Sequence, residues 1–171
     1  MIIIEPYTDS GFQEIQYIAS EVWPIAYGAI LSRAQLDYMM DMMYSSTALY
    51  RQVHELKHHF IVAKIKEEVI GFASYEVQYE GGSATKIHKL YILTNQQGNG
   101  IGKLLVDYIA QESIKMGQVS LILNVNRNNT ALGFYEKLGF QIQSTVDIAI
   151  GNGYLMEDYV MTKKLYYGAL Y

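Results

Sequence analysis

Gln97-Gly98-Asn99-Gly100-Ile101-Gly102-Lys103, followed one helix and one strand later by Asn128-Asn129-Thr130-Ala131-Leu132-Gly133-Phe134-Tyr135, is the part of the chain that decides the fold. Glycines alternate at 98, 100 and 102 between a strand-like run and an amphipathic helical run. Glycine lets the backbone approach a ligand closely, and the free amides and positive dipole end of a helix favour phosphate. The loop reads as a phosphate cradle, with a plain glycine-rich strand-to-helix turn as the alternative. Two nucleotide motifs use the same physics and neither fits. A Walker loop needs glycine at 97 and Ser or Thr at 104, where this chain has Gln97 and Leu104. A Rossmann fingerprint needs a third glycine at 103 or 105, where this chain has Lys103 and Leu105.

Working outward, residues 100–116 place Ile101, Leu104, Leu105, Tyr108 and Ile109 on one helical face, with Gly117 where a helix end favours a left-handed residue. Residues 119–125 form a short apolar strand, and residues 128–138 a helix stopped by Gly139. Strands are expected near 140–148 and 154–164. Upstream, the period is near two in residues 60–65, 69–79 and 86–93, with a polar turn at Lys66-Glu67-Glu68 and another at Glu80-Gly81-Gly82-Ser83. The N-terminal part opens with a strand over 1–7. A helix running to Val22 follows, with Ser10 and Gln13 at capping-box spacing, and Pro24 is expected to end or kink it. Ser32 and Gln35 repeat that spacing ahead of Leu36, Met39, Met40 and Met43, and Ser45-Ser46-Thr47 separates this second helix from a third over 48–56. The pattern is a mixed α/β sheet with one β-α-β crossover at its centre, and no repeat or linker interrupts it.

Gln97-x-x-Gly100-x-Gly102, then Asn128-x-x-Ala131-x-x-Phe134-Tyr135, then Leu138-Gly139-Phe140, resemble the two signature segments of the GNAT superfamily of acetyl-CoA-dependent N-acetyltransferases. The resemblance is close over residues 86–140, and the order of the remaining elements agrees with it. It implies a mixed α+β GNAT fold: a mostly antiparallel twisted sheet of about seven strands, a splayed pair at the fourth and fifth strands, and about four helices on both faces. One domain spanning 1–171 is expected, in keeping with the chain length.

The resemblance also assigns roles. The loop amides of Gly98, Asn99, Gly100, Ile101, Gly102 and Lys103, preceded by Gln97, would take the coenzyme A pyrophosphate. Leu90, Tyr91 and Ile92 would pair with the pantetheine arm through their backbone. Asn128 would contact the cofactor near the pantetheine, and Tyr135 matches the tyrosine that protonates the departing thiolate. Several relatives carry a glutamate as base on the strand before the glycine loop. His88 falls at or near that position, and Glu76 on the neighbouring strand is the alternative base. An unperturbed histidine is partly neutral at cellular pH and can accept a proton. The family covers its acceptor site with its first two helices, so Trp23, Tyr27, Tyr38 and Asp37 or Asp41 would line it. The plainer readings are a core aromatic for Tyr135, a structural histidine for His88 and core filler for the methionines.

The chain has no cysteine, so thiolate nucleophiles and thiolate metal sites are excluded; His54 and His58 at i, i+4 spacing lack an obvious third ligand, and no metal is expected. A net charge of −4 argues against a broad nucleic-acid surface and slightly favours a cationic acceptor. The apolar start Met1-Ile2-Ile3-Ile4 lacks a basic flank, and no apolar run is long enough to cross a bilayer, so a cytoplasmic protein without membrane attachment is expected. The segments 23–43 and 157–165 look more loosely similar to a bacterial GNAT subgroup that acetylates spermidine and spermine. That likeness makes a small amine or polyamine the expected acceptor, with Glu21, Asp37, Asp41, Glu76, Glu157 and Asp158 available to a polycation. A protein N-terminal or lysine acetyltransferase, and a non-catalytic acyl-CoA sensor, are the alternatives. A homodimer is possible on the family's habit, with the tail 166–171 taking part.

Overall fold

The computed structural model describes residues 1–166; all but Tyr166 of the tail named above as a dimer contact lie outside the described residues. The chain forms two compact units, Met1–Glu76 with Lys89–Ile109, and Val77–His88 with the chain from Ala110 onward.

The first unit begins with β1 (Ile2–Pro6), α1 (Gln13–Tyr27), α2 (Arg33–Tyr44) and α3 (Ser46–His54). Strands β2 (His59–Ile65) and β3 (Glu68–Glu76) follow. β1 runs antiparallel to β2 from Ile2↔Ile65 to Pro6↔Ile61, and β2 runs antiparallel to β3. The turn between them places Lys66 in the left-handed region, at φ 56°. α1 differs from expectation at both ends. Ser10 does not cap it; Phe12 takes the cap position at φ 56°, its ring held between those of Tyr7 and Phe60 at 6.2 and 6.1 Å. Pro24 lies inside the helix, and Gly28 N–H still bonds back to the Pro24 carbonyl at 2.9 Å. The missing Pro24 amide would have met the Ser20 carbonyl, and both residues are on the exposed face, where solvent can serve that oxygen. The later caps follow the sequence. Ser32 Oγ accepts from the Gln35 amide at 3.1 Å, and Ser45 Oγ from the Ala48 amide at 3.2 Å. Ser45 is extended, at ψ 153°, which breaks α2 from α3.

β4 (Ala84–Ile92) and α4 (Ile101–Lys115) are continuous elements that belong to both units. In the first unit Leu93 N–H, just past β4, bonds to the Ile70 carbonyl of β3 at 2.9 Å. In the second, β4 pairs in parallel with β5 (Ser120–Asn126) from Ala84↔Ser120 to Ile87↔Leu123. That ladder stops there, although β4 runs on to Ile92 and β5 to Asn126. α5 (Ala131–Lys137) leads to a long hairpin of β6 (Gln141–Gly151) and β7 (Tyr154–Lys164), and β7 pairs antiparallel with β5. The hairpin turns on three consecutive left-handed residues, Gly151, Asn152 and Gly153.

The strand order is β1-β2-β3-β4-β5-β7-β6, a mostly antiparallel seven-stranded sheet whose one described parallel pair is the β4-α4-β5 crossover. Five α-helices are described; the resemblance implies about four, and the break at Ser45 read from Ser45-Ser46-Thr47 makes α2 and α3 separate. Ile15, Ile18, Leu49, Ile61, Phe72, Ile101 and Leu105 fill the first unit's core; Leu121, Leu123, Phe140 and Met161 fill the second's. Among the described residues no helix is long and apolar enough to cross a membrane.

Candidate active site

The glycine loop enters α4 as the sequence predicts. Gly98 and Gly100 have φ 83° and 76°, a region where residues with a side chain are strained. A Cβ built at either position meets nothing within 4 Å, so torsion rather than crowding demands glycine, and the space beside the loop is open. At the start of α4, Leu104 N–H bonds back to the Gly100 carbonyl at 3.1 Å. The amides of its first turn, from Ile101 to Lys103, precede any intrahelical acceptor and remain available to an anion, which fits a pyrophosphate. Gln97 ties the loop to the end of β4 by donating from Nε2 to the Ile92 carbonyl at 3.2 Å. Asn99 Nδ2 likewise donates to the Gln96 carbonyl at 3.3 Å.

Leu90, Tyr91 and Ile92 are half-buried in β4. Gly71 of β3 lets that backbone lie close. A Cβ at 71 would stand 3.1 Å from the Tyr91 carbonyl oxygen and 3.2 Å from Ile92 Cγ1. The signal for it was a lone glycine inside a strand pattern, which marks close backbone approach. On the Tyr91 side chain the expected acceptor-site aromatics converge. Tyr27 and Tyr91 share a hydrogen bond between their phenol oxygens at 3.0 Å. Trp23 lies 4.6 Å from Tyr27 and 5.8 Å from Tyr91 by ring centroids, and is only 2% exposed. Trp23 therefore braces the wall from behind. Asp37 and Tyr38 lie on α2; Asp37 is exposed and already engages Arg33 Nε at 3.0 Å, while Tyr38 is half-buried.

Glu76, at the end of β3, has its Oε1 3.6 Å from Nε2 of His58. His58 is pushed down to about 4, first by burial and then by the charges of Lys89 and His59, so its imidazole is neutral at pH 7. Lys89 is a buried lysine of β4. Its Nζ donates to Gln52 Oε1 at 2.6 Å and lies 5.5 and 5.7 Å from the ring centroids of Tyr44 and Phe60. Burial lowers it to about 7. Gln52 also donates to the Met43 carbonyl at 3.0 Å, so one amide joins the end of α2 to β4. Sequence reading missed Lys89 and Gln52, because a lysine in a strand pattern reads as solvent-facing and its partner is 37 residues away.

In the second unit His88 is half-buried on β4, edge-to-face with Tyr79 at 5.9 Å. Lys86 Nζ donates to Asn124 Oδ1 at 2.6 Å. Asp158, 3% exposed, is raised by burial, while hydrogen bonding from Asn124 and the charges of Lys86 and Arg127 act the other way. Tyr135 is buried on α5, its ring T-shaped against Phe134 at 5.1 Å and Phe140 at 5.7 Å. Asn128 is exposed ahead of α5, where Asn126 Oδ1 accepts its amide at 2.9 Å and Asn129 Oδ1 accepts that of Ala131 at 2.9 Å.

Comparison with known proteins identifies the fold and the family. An uncharacterized N-acetyltransferase of Mycobacterium tuberculosis is 24% identical over 154 residues, covering 89% of this chain and 96% of its own length. The L-methionine sulfoximine/L-methionine sulfone acetyltransferase of Pseudomonas aeruginosa is 31% identical over 78 residues, 44% of this chain and 45% of its own. The crystal structure of PaiA N-acetyltransferase from Thermoplasma acidophilum in complex with coenzyme A has the same fold, with a TM-score of 0.80 at 24% identity, over 96% of this chain and 99% of that one. The model of the acetyltransferase (GNAT) family matches residues 13–140. The chain belongs to the GNAT family and is an acetyl-CoA-dependent N-acetyltransferase, with acetyl-CoA as its co-substrate.

Proposed function

We propose that the acceptor is the primary amine of a small molecule and that transfer is direct, within one ternary complex. The observation that carries the acceptor reading is the Tyr27–Tyr91 phenol pair, 3.0 Å apart and braced by buried Trp23. It gives the strand assigned to the pantetheine an aromatic wall with two polar tips, which suits a compact amine through cation–π and hydrogen-bond contacts. The absence of cysteine favours direct attack over a thioester-linked enzyme.

The roles follow from the motif positions and the chemistry. The loop residues Gly98, Asn99, Gly100, Ile101, Gly102 and Lys103 bind the pyrophosphate through amides that the start of α4 leaves free. Gln97 holds that loop to β4, and Leu90, Tyr91 and Ile92 bind the pantetheine by backbone. Asn128 binds the same arm. An ammonium acceptor with pKa near ~10.4 must lose a proton first, which at neutral pH costs about 4–5 kcal/mol. His88 takes that proton, with Glu76 as the alternative base. A β4 amide polarises the thioester carbonyl as its oxygen gains charge. The nitrogen adds to the thioester carbon, and the adduct collapses with cleavage of the C–S bond. Tyr135 supplies the proton to the leaving sulfur, and the second proton that the nitrogen sheds as it becomes an amide restores the phenol. Tyr27, with Tyr38, contacts the acceptor, and Trp23 supports Tyr27.

The spermidine and spermine class keeps the support of the −4 net charge and of exposed Glu21, Asp41 and Glu157. Asp37 is less available, because Arg33 answers its charge. The relative that acetylates methionine sulfoximine supports a small amino-acid-like amine instead. A thiol-release assay over polyamines, amino acids and their analogues, amino sugars and peptides separates these readings, with the acetylated amine identified by mass. Turnover confined to small amines is expected. A preference for peptides would replace this proposal with a protein acetyltransferase, and acetyl-CoA binding without release on any amine would replace it with a sensor.

A further inference from the structure

The connection from β3 to β4 is held in a conformation that ordinary side chains avoid. Gln78 and Glu80, on either side of Tyr79, are both left-handed at φ 53°. Neither is glycine, so each meets the Cβ crowding that makes this region rare. Such strain persists only where the surroundings impose it. The Gln78 amide donates to Oε1 of Gln118 at 2.9 Å, and Gln118 is 3% exposed and anchored by donating from Nε2 to the Met116 carbonyl at 3.2 Å. A buried side chain just beyond α4 thus fixes a turn forty residues away in sequence.

What the turn presents is the Tyr79 ring. It meets the His88 ring at 5.9 Å with 74° between the planes. Lys86 Nζ rests 4.8 Å from the Tyr79 centroid and is itself held by Asn124 Oδ1 at 2.6 Å. Lys86 and His88 are two residues apart in β4, so their side chains leave the same face of the strand. The cation fixes the plane of the ring and the ring contact restricts rotation of the imidazole.

We propose that Tyr79 is a positioning residue for His88, locked by the Gln78–Gln118 bond and the Lys86 cation so that the imidazole keeps one orientation. This rests on the reading of His88 as base. The contact with His88 is made by the ring, which phenylalanine keeps at 79.

The test is a double-mutant cycle in the thiol-release assay with the best small amine. Tyr79→Leu should lower kcat roughly tenfold with KM for acetyl-CoA unchanged, and Tyr79→Phe should restore it. Gln118→Leu, which removes the acceptor of the Gln78 amide, should reproduce the loss. In a His88→Gln background, Tyr79→Leu should add no further loss, because the group it orients is gone. A full, multiplicative loss in that background overturns the positioning role while leaving His88 as base. Wild-type kcat in Tyr79→Leu or Gln118→Leu does the same. Wild-type turnover in His88→Gln instead removes the base assignment, and the positioning role with it.

Discussion

Replacing Lys89 with methionine should erase most of the protein's gain in stability between pH 7 and pH 9. Burial brings the Lys89 ammonium down to about 7 from an ordinary 10.5. Between those values the unfolded chain holds a proton that the folded chain has given up, so stability rises with pH across that window and changes little above it. Linkage with these two values gives a penalty of about 4 kcal/mol at pH 7 and about 2 kcal/mol at pH 9. The wild type should therefore gain about 2 kcal/mol from this residue alone. Methionine keeps the unbranched stem and removes the charge. It leaves Gln52 Oε1 without the donor now at 2.6 Å, a loss of about 1–3 kcal/mol, smaller than the burial penalty relieved at pH 7. The assay is urea unfolding at pH 7, 8 and 9 at constant ionic strength, with m-values compared to verify that the unfolded states match. The variant should equal or exceed the wild type at pH 7 and lose that advantage by pH 9. Parallel pH dependences in the two proteins would refute the reasoning.

Three further outcomes are expected. Tyr135→Phe should fold normally, since the Phe134 and Phe140 ring contacts survive, and should lower kcat by roughly 10²-fold; unchanged turnover across pH would remove its proton-donor role. Gly71→Ala forces a Cβ to 3.1 Å from the Tyr91 carbonyl, so about 1–3 kcal/mol of stability should be lost in thermal unfolding and KM for acetyl-CoA should rise as β4 shifts; wild-type values for both would show that β4 yields freely. His58 is neutral when folded, at about 4 against an ordinary 6.5, so its contribution is complete above pH 6.5 and fades as pH falls toward 4. Relative to His58→Gln, the wild type should lose roughly 2 kcal/mol more between pH 7 and pH 4.5 in denaturant unfolding, and equal losses would contradict the assigned burial.

The features legible in the sequence are those whose cause is local. Gly98, Gly100, Gly117 and Gly139 all have positive φ, and Ser32 caps α2 through its own hydroxyl, because torsion and capping depend on residues a few positions apart. The crossover around α4 was legible for the same reason, since hydrophobic period and glycine placement settle it. What was not legible depends on distant partners. Ser10 lost its cap position to Phe12, whose place is set by Tyr7 and Phe60. Pro24 did not end α1, because the affected carbonyl faces solvent. Lys86 and Lys89 are buried although strand alternation gives no warning, their partners Asn124 and Gln52 being 38 and 37 residues away. In the candidate site the glycine loop and its left-handed torsions were thus readable, whereas the Tyr27–Tyr91 pair joins residues 64 apart and needed the fold.

Bisubstrate initial-rate kinetics, with acetyl-CoA and the preferred small amine varied against each other, tests direct transfer most plainly. Intersecting double-reciprocal lines are predicted, since both substrates must be bound before the thioester is broken. Parallel lines, together with an acetylated enzyme trapped in the absence of amine, would contradict it and place the acetyl group on the protein first.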